Sequence, residues 1–194
     1  MNPSYSGFQA KERKGFLDVP PAGCYEAEIL NVRFVPADGG KHQRDTIELF
    51  LDISDGEYKG RYMELWNDQK ERFGDSVSYK GMFRLTPPVE NDEPWRVKAF
   101  EENLWCVQES NDGYSWDWDE KKLKGKKVGI NVRNHYYTYN GKDRATTEIC
   151  RFETIADVKA GKCKPGKDRN NIQKEIGTEP AFTDVSATNV DVPW

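Results

Sequence analysis

Residues Arg44–Trp66 read RDTIELFLDISDGEYKGRYMELW, and the topology turns on how this stretch folds. Ile47, Leu49, Leu51 and Ile53 alternate with Thr46, Glu48, Phe50 and Asp52, which is the period of a strand with one buried face. Ser54–Glu57 (SDGE) has tight-turn chemistry, because Asp and Gly tolerate the backbone angles a reversal needs. The pattern then predicts another strand over Glu57–Trp66. Upstream, PPAGCYEAEILNVRF (Pro20–Phe34) alternates through Tyr25, Ala27 and Ile29. Its apolar phase then slips to Leu30, Val32 and Phe34, as a β-bulge would cause. VPADGGKHQ (Val35–Gln43) joins the two as a loop. The expectation is a three-stranded meander.

Asn67–Glu93 reads as an irregular polar insertion with Pro87-Pro88 near its end. Pro94 suits the first turn of a helix, where its missing N–H costs nothing. Phe100, Leu104 and Val107 then form a buried stripe at helical spacing before NDGY (Asn111–Tyr114) stops it. Val128, Ile130 and Val132 mark a fourth strand, Asn140-Gly141 a hairpin turn, and Thr146–Phe152 a fifth strand. Glu153–Lys162 reads as a short amphipathic or turn segment, and Trp116 and Trp118 are expected to plug the base of the fold. This divides the chain into a polar N-terminal arm (1–18), a core domain (19–162) and a disordered tail (163–194). The order, three strands, a helix and two strands, is that of a mainly β, five-stranded oligonucleotide-binding Greek-key barrel (OB-fold) with its helix between strands 3 and 4.

Composition bounds what such a domain does. The 194-residue chain has a mean hydropathy of -0.89 and 12% aromatic residues, so it is polar yet able to build a core. No apolar run is long enough to span a membrane and no signal peptide is recognised, which predicts a cytoplasmic protein. Cys24, Cys106, Cys150 and Cys163 are irregularly spaced and read as reduced thiols. With only His42 and His135, neither a metal site nor any other cofactor is expected. The net charge is -4, but Lys121–Arg144 holds eight basic residues against Asp143, a local +7 that leaves -11 on the remainder. Phosphate binding follows the local field rather than the sum.

The ligand loops of this barrel type carry matching chemistry. The strand 4–5 region, NHYYTYNGKDR (Asn134–Arg144), sets Tyr136, Tyr137 and Tyr139 beside Lys142 and Arg144. Aromatic faces stack on unpaired bases of any identity while cations follow the phosphates. Lys41 and Arg44 come from the strand 1–2 loop, Phe50 from strand 2, and Arg61 with Tyr62 or Trp66 from the expected third strand. Lys121, Lys122, Lys124, Lys126, Lys127 and Arg133 complete the basic path. For any one tyrosine cross-strand packing is the better reading; the set beside the basic run points to stacking. Asp117, Asp119 and Glu120 are too closely spaced to make a nuclease site, and no catalytic triad or phosphate loop can be assembled, so an enzyme is not expected.

PAGCYEAEI (Pro21–Ile29), DISDGEYKGRY (Asp52–Tyr62) and above all VQESNDGYSWDWDEKKLKGKKVGI (Val107–Ile130) resemble a family of bacteriophage and mobile-element proteins. Some members of that family are taken to be single-stranded DNA-binding proteins, and the resemblance covers about Val19–Lys162. The terminal Asp191, Val192, Pro193 and Trp194 resemble the tip of bacterial single-stranded DNA-binding proteins, with Trp in place of Phe and a sparser acidic tail. That resemblance implies a tip that recruits replication, recombination or repair proteins. An accessory protein-interaction module without DNA binding is the alternative. Oligomeric state stays open, homo-oligomers included.

Overall fold

A computed structural model describes residues 15, 17–40 and 43–172. It is mainly β, with a six-stranded mixed sheet and supporting helices. β1 (Gly23–Val35) pairs antiparallel with β2 (Thr46–Ile53), and β2 with the short β3 (Met82–Leu85). On its other edge β1 pairs with β4 (Lys127–Tyr139), which forms a long hairpin with β5 (Lys142–Glu153). A three-residue β6 (Arg169–Asn171) lies parallel to β4 at His135–Tyr137. The path is therefore β3-β2-β1-β4-β5, with β6 on the exposed half of β4.

The expected β1 bulge is present, with register slipping between Ile29 and Asn31 so that Leu30 is the extra residue. Ala27, Ile29, Ile47, Leu49, Leu51, Ile53, Val128, Ile130 and Val132 line the buried face. α2 (Pro94–Glu109) closes that face with Phe100, Leu104 and Val107, the stripe the spacing predicted, and sits between β3 and β4. The sheet ends do not hydrogen-bond to each other, so no closed barrel forms. β3 meets β5 through the Phe83 and Phe152 rings, centroids 4.6 Å apart, and Asn103 of α2 accepts the Phe152 N–H at 2.7 Å.

Three expectations are corrected. The strand predicted over Glu57–Trp66 is instead α1 (Arg61–Phe73). Gly60, at φ 74°, breaks the extended run, and Tyr62, Leu65 and Trp66 are spaced for one face of a helix. Asp52 completes α1 from the neighbouring strand: its carboxylate accepts the N–H of Tyr62 (3.0 Å) and of Met63 (3.2 Å), two donors a helix start leaves free. Burial pushes the Asp52 carboxyl pKa up against the pull of these donors. The real third strand lies inside the stretch read as irregular. There Gly81 is required by close approach, because a Cβ would sit 2.2 Å from the Leu51 carbonyl oxygen and 2.8 Å from the Tyr62 ring.

The second correction concerns sulfur and the tail. Cys24 and Cys163 form a disulfide rather than two thiols. Residues 163–172, assigned to a disordered tail, are ordered against β4. Buried Asn131 fastens them: its Nδ2 donates to the Lys164 carbonyl oxygen at 2.8 Å, and its Oδ1 accepts the Gly166 N–H at 2.7 Å. Cys106 and Cys150 stay free, and burial pushes the Cys106 thiol up to about 11. Third, Trp118 plugs nothing, being 65% exposed, whereas Trp116 packs on the core. Elsewhere Ile155–Lys159 is a five-residue helix, α3, in the segment read as amphipathic or turn.

Candidate nucleic-acid interface

Side chains alternate along a strand, so β4 divides the predicted aromatics between two faces. Arg133, His135, Tyr137 and Tyr139 share the outer face, opposite Glu148, Thr146, Arg144 and Lys142 of β5 respectively. The His135 and Tyr137 rings lie 5.2 Å apart, and Tyr139 is exposed. Tyr136 is on the reverse face with Asn134 and Thr138, so the expected set of three tyrosines is a pair plus one. Glu148 organises the outer face. It accepts from Arg133 Nε at 2.9 Å and pairs with His135 Nδ1 at 3.2 Å and Arg169 Nη1 at 3.6 Å. Lys142 and Arg144 are exposed and ion-paired to nothing among the described residues. Two cations thus meet the Glu148 carboxylate, and two more lie opposite the Tyr137 and Tyr139 rings.

A second concave surface lies where α1 and the loop before β3 face β1 and β2. This groove, of about 390 Å³, is lined by Leu30, Asn31, Arg33, Phe50, Trp66 and Tyr79 among others. Phe50 and Trp66 each have their rings 6.0 Å from Tyr79, and the Arg33 guanidinium lies 5.6 Å from the Phe50 centroid. Tyr79 donates its hydroxyl to the Leu51 carbonyl oxygen at 2.8 Å, and burial pushes that phenol pKa well up, so it stays a neutral donor. Glu48, 2% exposed, holds the rim. It accepts from Arg33 Nε at 2.9 Å and from Arg84 Nε at 3.1 Å, its register partners on β1 and β3. Burial alone would raise the Glu48 pKa, but the two arginines outweigh it and hold the carboxylate below its usual range. The outward heads of Arg33 and Arg84 are left at the surface, 62% and 56% exposed.

The lysine run belongs beside this groove rather than beside the tyrosines. Lys121, Lys122, Lys124 and Lys127 are exposed around the turn before β4, and Lys126 lies 4.6 Å over the Tyr114 ring. The turn's backbone is bonded to Ile29, next to Leu30 of the groove, by Gly125 N–H to the Ile29 carbonyl oxygen at 2.7 Å and Ile29 N–H to that of Lys126 at 2.9 Å. Lys127 opens β4 and Tyr139 ends it, twelve steps of about 3.3 Å later, so the +7 segment is spread over as much as ~40 Å.

Other predicted contacts are engaged elsewhere. Tyr62 is buried at 2% exposure under β3 and presents no face to a base. Arg44 donates to Asp92 Oδ1 at 3.1 Å and to the Pro87 carbonyl oxygen at 3.0 Å, tying the strand 1–2 loop to the segment before α2. Arg61 lies over the Tyr58 ring at 5.6 Å and donates to the Asp18 carbonyl oxygen at 3.4 Å. Lys122 is turned onto Asp117, and Asp119 caps the short 3-10 turn by accepting the Lys121 N–H at 3.1 Å. Lys41 and the tip Asp191–Trp194 lie outside the described residues. Sequence reasoning missed Arg33, Arg84, Tyr79 and Arg169. The signal for the first two was Glu48, an acid inside a strand of apolar residues, which demands cations on both neighbouring strands.

Neither a protein-family model nor a curated protein sequence matches the chain. Among the described residues no three His, Cys, Asp or Glu side chains cluster as metal ligands, and no helix is long and apolar enough to cross a membrane.

Proposed function

We propose that this chain binds single-stranded DNA without strong sequence preference, through the outer face of the β4–β5 hairpin and the Phe50–Trp66 groove. One observation carries the reading: His135, Tyr137 and Tyr139, half-buried at the first two and exposed at the third, share the outer face with Arg133, Arg144, Lys142 and Arg169, offset by Glu148 alone. Rings at this spacing accept stacked bases of any kind, and cations at the row's edge meet the phosphates. A duplex, whose bases are already stacked, offers no faces to them. In the groove, Phe50 and Trp66 would take further bases, with Arg33, Arg84 and the Lys121–Lys127 turn on the phosphates.

The fold supports the same reading. Path β3-β2-β1-β4-β5, a helix between the third and fourth strands, and end strands meeting through Phe83 and Phe152 suit an oligonucleotide-binding barrel whose last seam is side-chain contact. The likeness to phage and mobile-element proteins belongs to this proposal, as does docking of Asp191–Trp194 on a replication or recombination protein. So does a cytoplasmic setting. There the Cys24–Cys163 bond would open to two thiols, leaving Asn131 to hold residues 163–166 in place.

The test is an anisotropy titration of labelled oligo-dT against the same length of duplex, at low and high salt. Tight, salt-sensitive binding of the single strand alone supports the reading; equal binding of both forms, or none, overturns it. Absence of any binding would leave a protein-interaction module, the reading that the exposed tryptophans of α2 favour.

A further inference from the structure

The surface over α2 is aromatic too, but its charge is reversed. Pro88–Glu120 carries ten acidic residues and two basic ones, a net of -8. Within it lies a groove of about 290 Å³ lined by Pro88, Phe100, Glu101, Trp105, Trp116 and Trp118 among others. Trp118 stacks on Phe100 with centroids 5.9 Å apart and lies 6.0 Å from Trp116. Trp118 holds φ 67°, a left-handed backbone that a bulky residue rarely adopts, and from it keeps its indole 65% exposed. Trp105 is 51% exposed. Glu101, Trp105 and Glu109, four residues apart, form one stripe of the helix, and neither glutamate is ion-paired among the described residues. Lys122, the nearby cation, is already turned onto Asp117.

Exposed tryptophans gathered in a concave site mark a contact surface. An acidic rim repels phosphate, so this surface is not for nucleic acid; it fits a basic segment with aromatic anchors. The chain contains one. Residues 1–14, MNPSYSGFQAKERK, hold Lys11, Arg13 and Lys14 against Glu12, with Tyr5 and Phe8 as anchors. The arm leaves the domain at Gly15, whose carbonyl oxygen accepts from Arg72 at the end of α1 at 2.7 Å. α1 packs on β2 and α2 on β5, so the arm's root and the groove belong to different elements. Fourteen residues reach about 46 Å at full extension.

We infer that the Trp105–Trp118 groove of one copy receives the N-terminal arm of a second copy, Tyr5 or Phe8 entering between the indoles while Lys11, Arg13 and Lys14 meet Glu101 and Glu109. The donor root and the acceptor groove are different surfaces, so each copy can both give an arm and accept one. This goes beyond the DNA reading and does not depend on it.

The test uses full-length protein without nucleic acid, with mass measured by sedimentation equilibrium across about 1–100 μM. The wild-type weight-average mass is expected to rise from 22.4 kDa to twice that or more. Two charge-reversed chains, one Lys11→Glu, Arg13→Glu and Lys14→Glu, the other Glu101→Lys and Glu109→Lys, should each stay monomeric and associate again when mixed. Mixing restores opposite charges only between separate chains. Trp105→Ala with Trp118→Ala, exposed positions whose loss leaves the core intact, should weaken association at least tenfold, with thermal melts confirming the fold. A wild-type chain monomeric throughout, or a mixture that stays monomeric, overturns the inference. So does an arm reversal that changes tryptophan fluorescence with no change in mass, since the arm would then fold onto its own domain.

Discussion

The β4–β5 hairpin and the α2 face both expose rings, yet their surroundings carry opposite charge. On the hairpin His135, Tyr137 and Tyr139 stand among Arg133, Lys142, Arg144 and Arg169. Over α2, Trp105 of the helix and Trp118 of the following loop line a groove with Glu101, and Glu109 ends the same helix. An aromatic face alone is indifferent to whether a base or a side chain lies on it. The field around it decides, by setting which partner approaches with its charge repelled and which with its charge compensated.

The largest effect expected is on the hairpin. Tyr137→Ala with Tyr139→Ala should cost about 4 kcal/mol of oligo-dT affinity, close to a thousandfold, at about 2 kcal/mol per lost stack. Trp105→Ala with Trp118→Ala should leave that affinity within about twofold. Equal losses from both pairs would erase the distinction between the two surfaces.

Next in size is the bond that ties β1 to the segment leading into β6. Cys163→Ser should lower global stability by about 3 kcal/mol in an unfolding titration, because a cross-link over 139 residues restrains the unfolded chain. With Asn131 still holding residues 163–166 and β6 still paired to β4, oligo-dT affinity and self-association should both hold steady in the same variant.

A smaller effect separates the faces by ionic strength. Each phosphate neutralised on a single strand contributes about -0.7 to the slope of log affinity against log salt. Lys142→Ala with Arg144→Ala should therefore flatten that slope by about 1.4, whereas Glu101→Gln should leave it unchanged. Smallest is a pH effect at Glu48. Its folded pKa is depressed, so its stabilisation is complete above the ordinary glutamate range and is lost as pH falls through the folded value. Melts taken from pH 6 down to about 3 should show a small loss of stability in the wild type that Glu48→Gln lacks.

Much of the fold could be read because its signals are local. The β1 phase slip, the alternation of Ile47–Ile53, the α2 stripe and Asn140-Gly141 each specify an element without outside help. α1 was misread because its own residues do not decide its fate: Tyr62–Trp66 fits either period, and Gly60 and Asp52 before it choose the helix. β3 was hidden because four residues carry too little periodicity, and what fixes it is space above Tyr62 that only Gly81 leaves free. At the interface the residue types were legible but their partition was not. Adjacent tyrosines look like one cluster in a string, and a strand sends Tyr136 and Tyr137 to opposite faces. The Lys121–Arg144 run looks like one patch, and the length of β4 makes it two.

Asp52 has a consequence for the order of assembly. The residue preceding α1 is Gly60, which has no side chain to cap it, so the helix is closed only when a carboxylate of the preceding strand, β2, has arrived. A thirteen-residue helix is marginal alone. α1 is therefore a late element, formed on a β1–β2 hairpin that already exists. The groove it walls is then built after that hairpin and opens before it, and amide exchange along α1 should run ahead of exchange along β2.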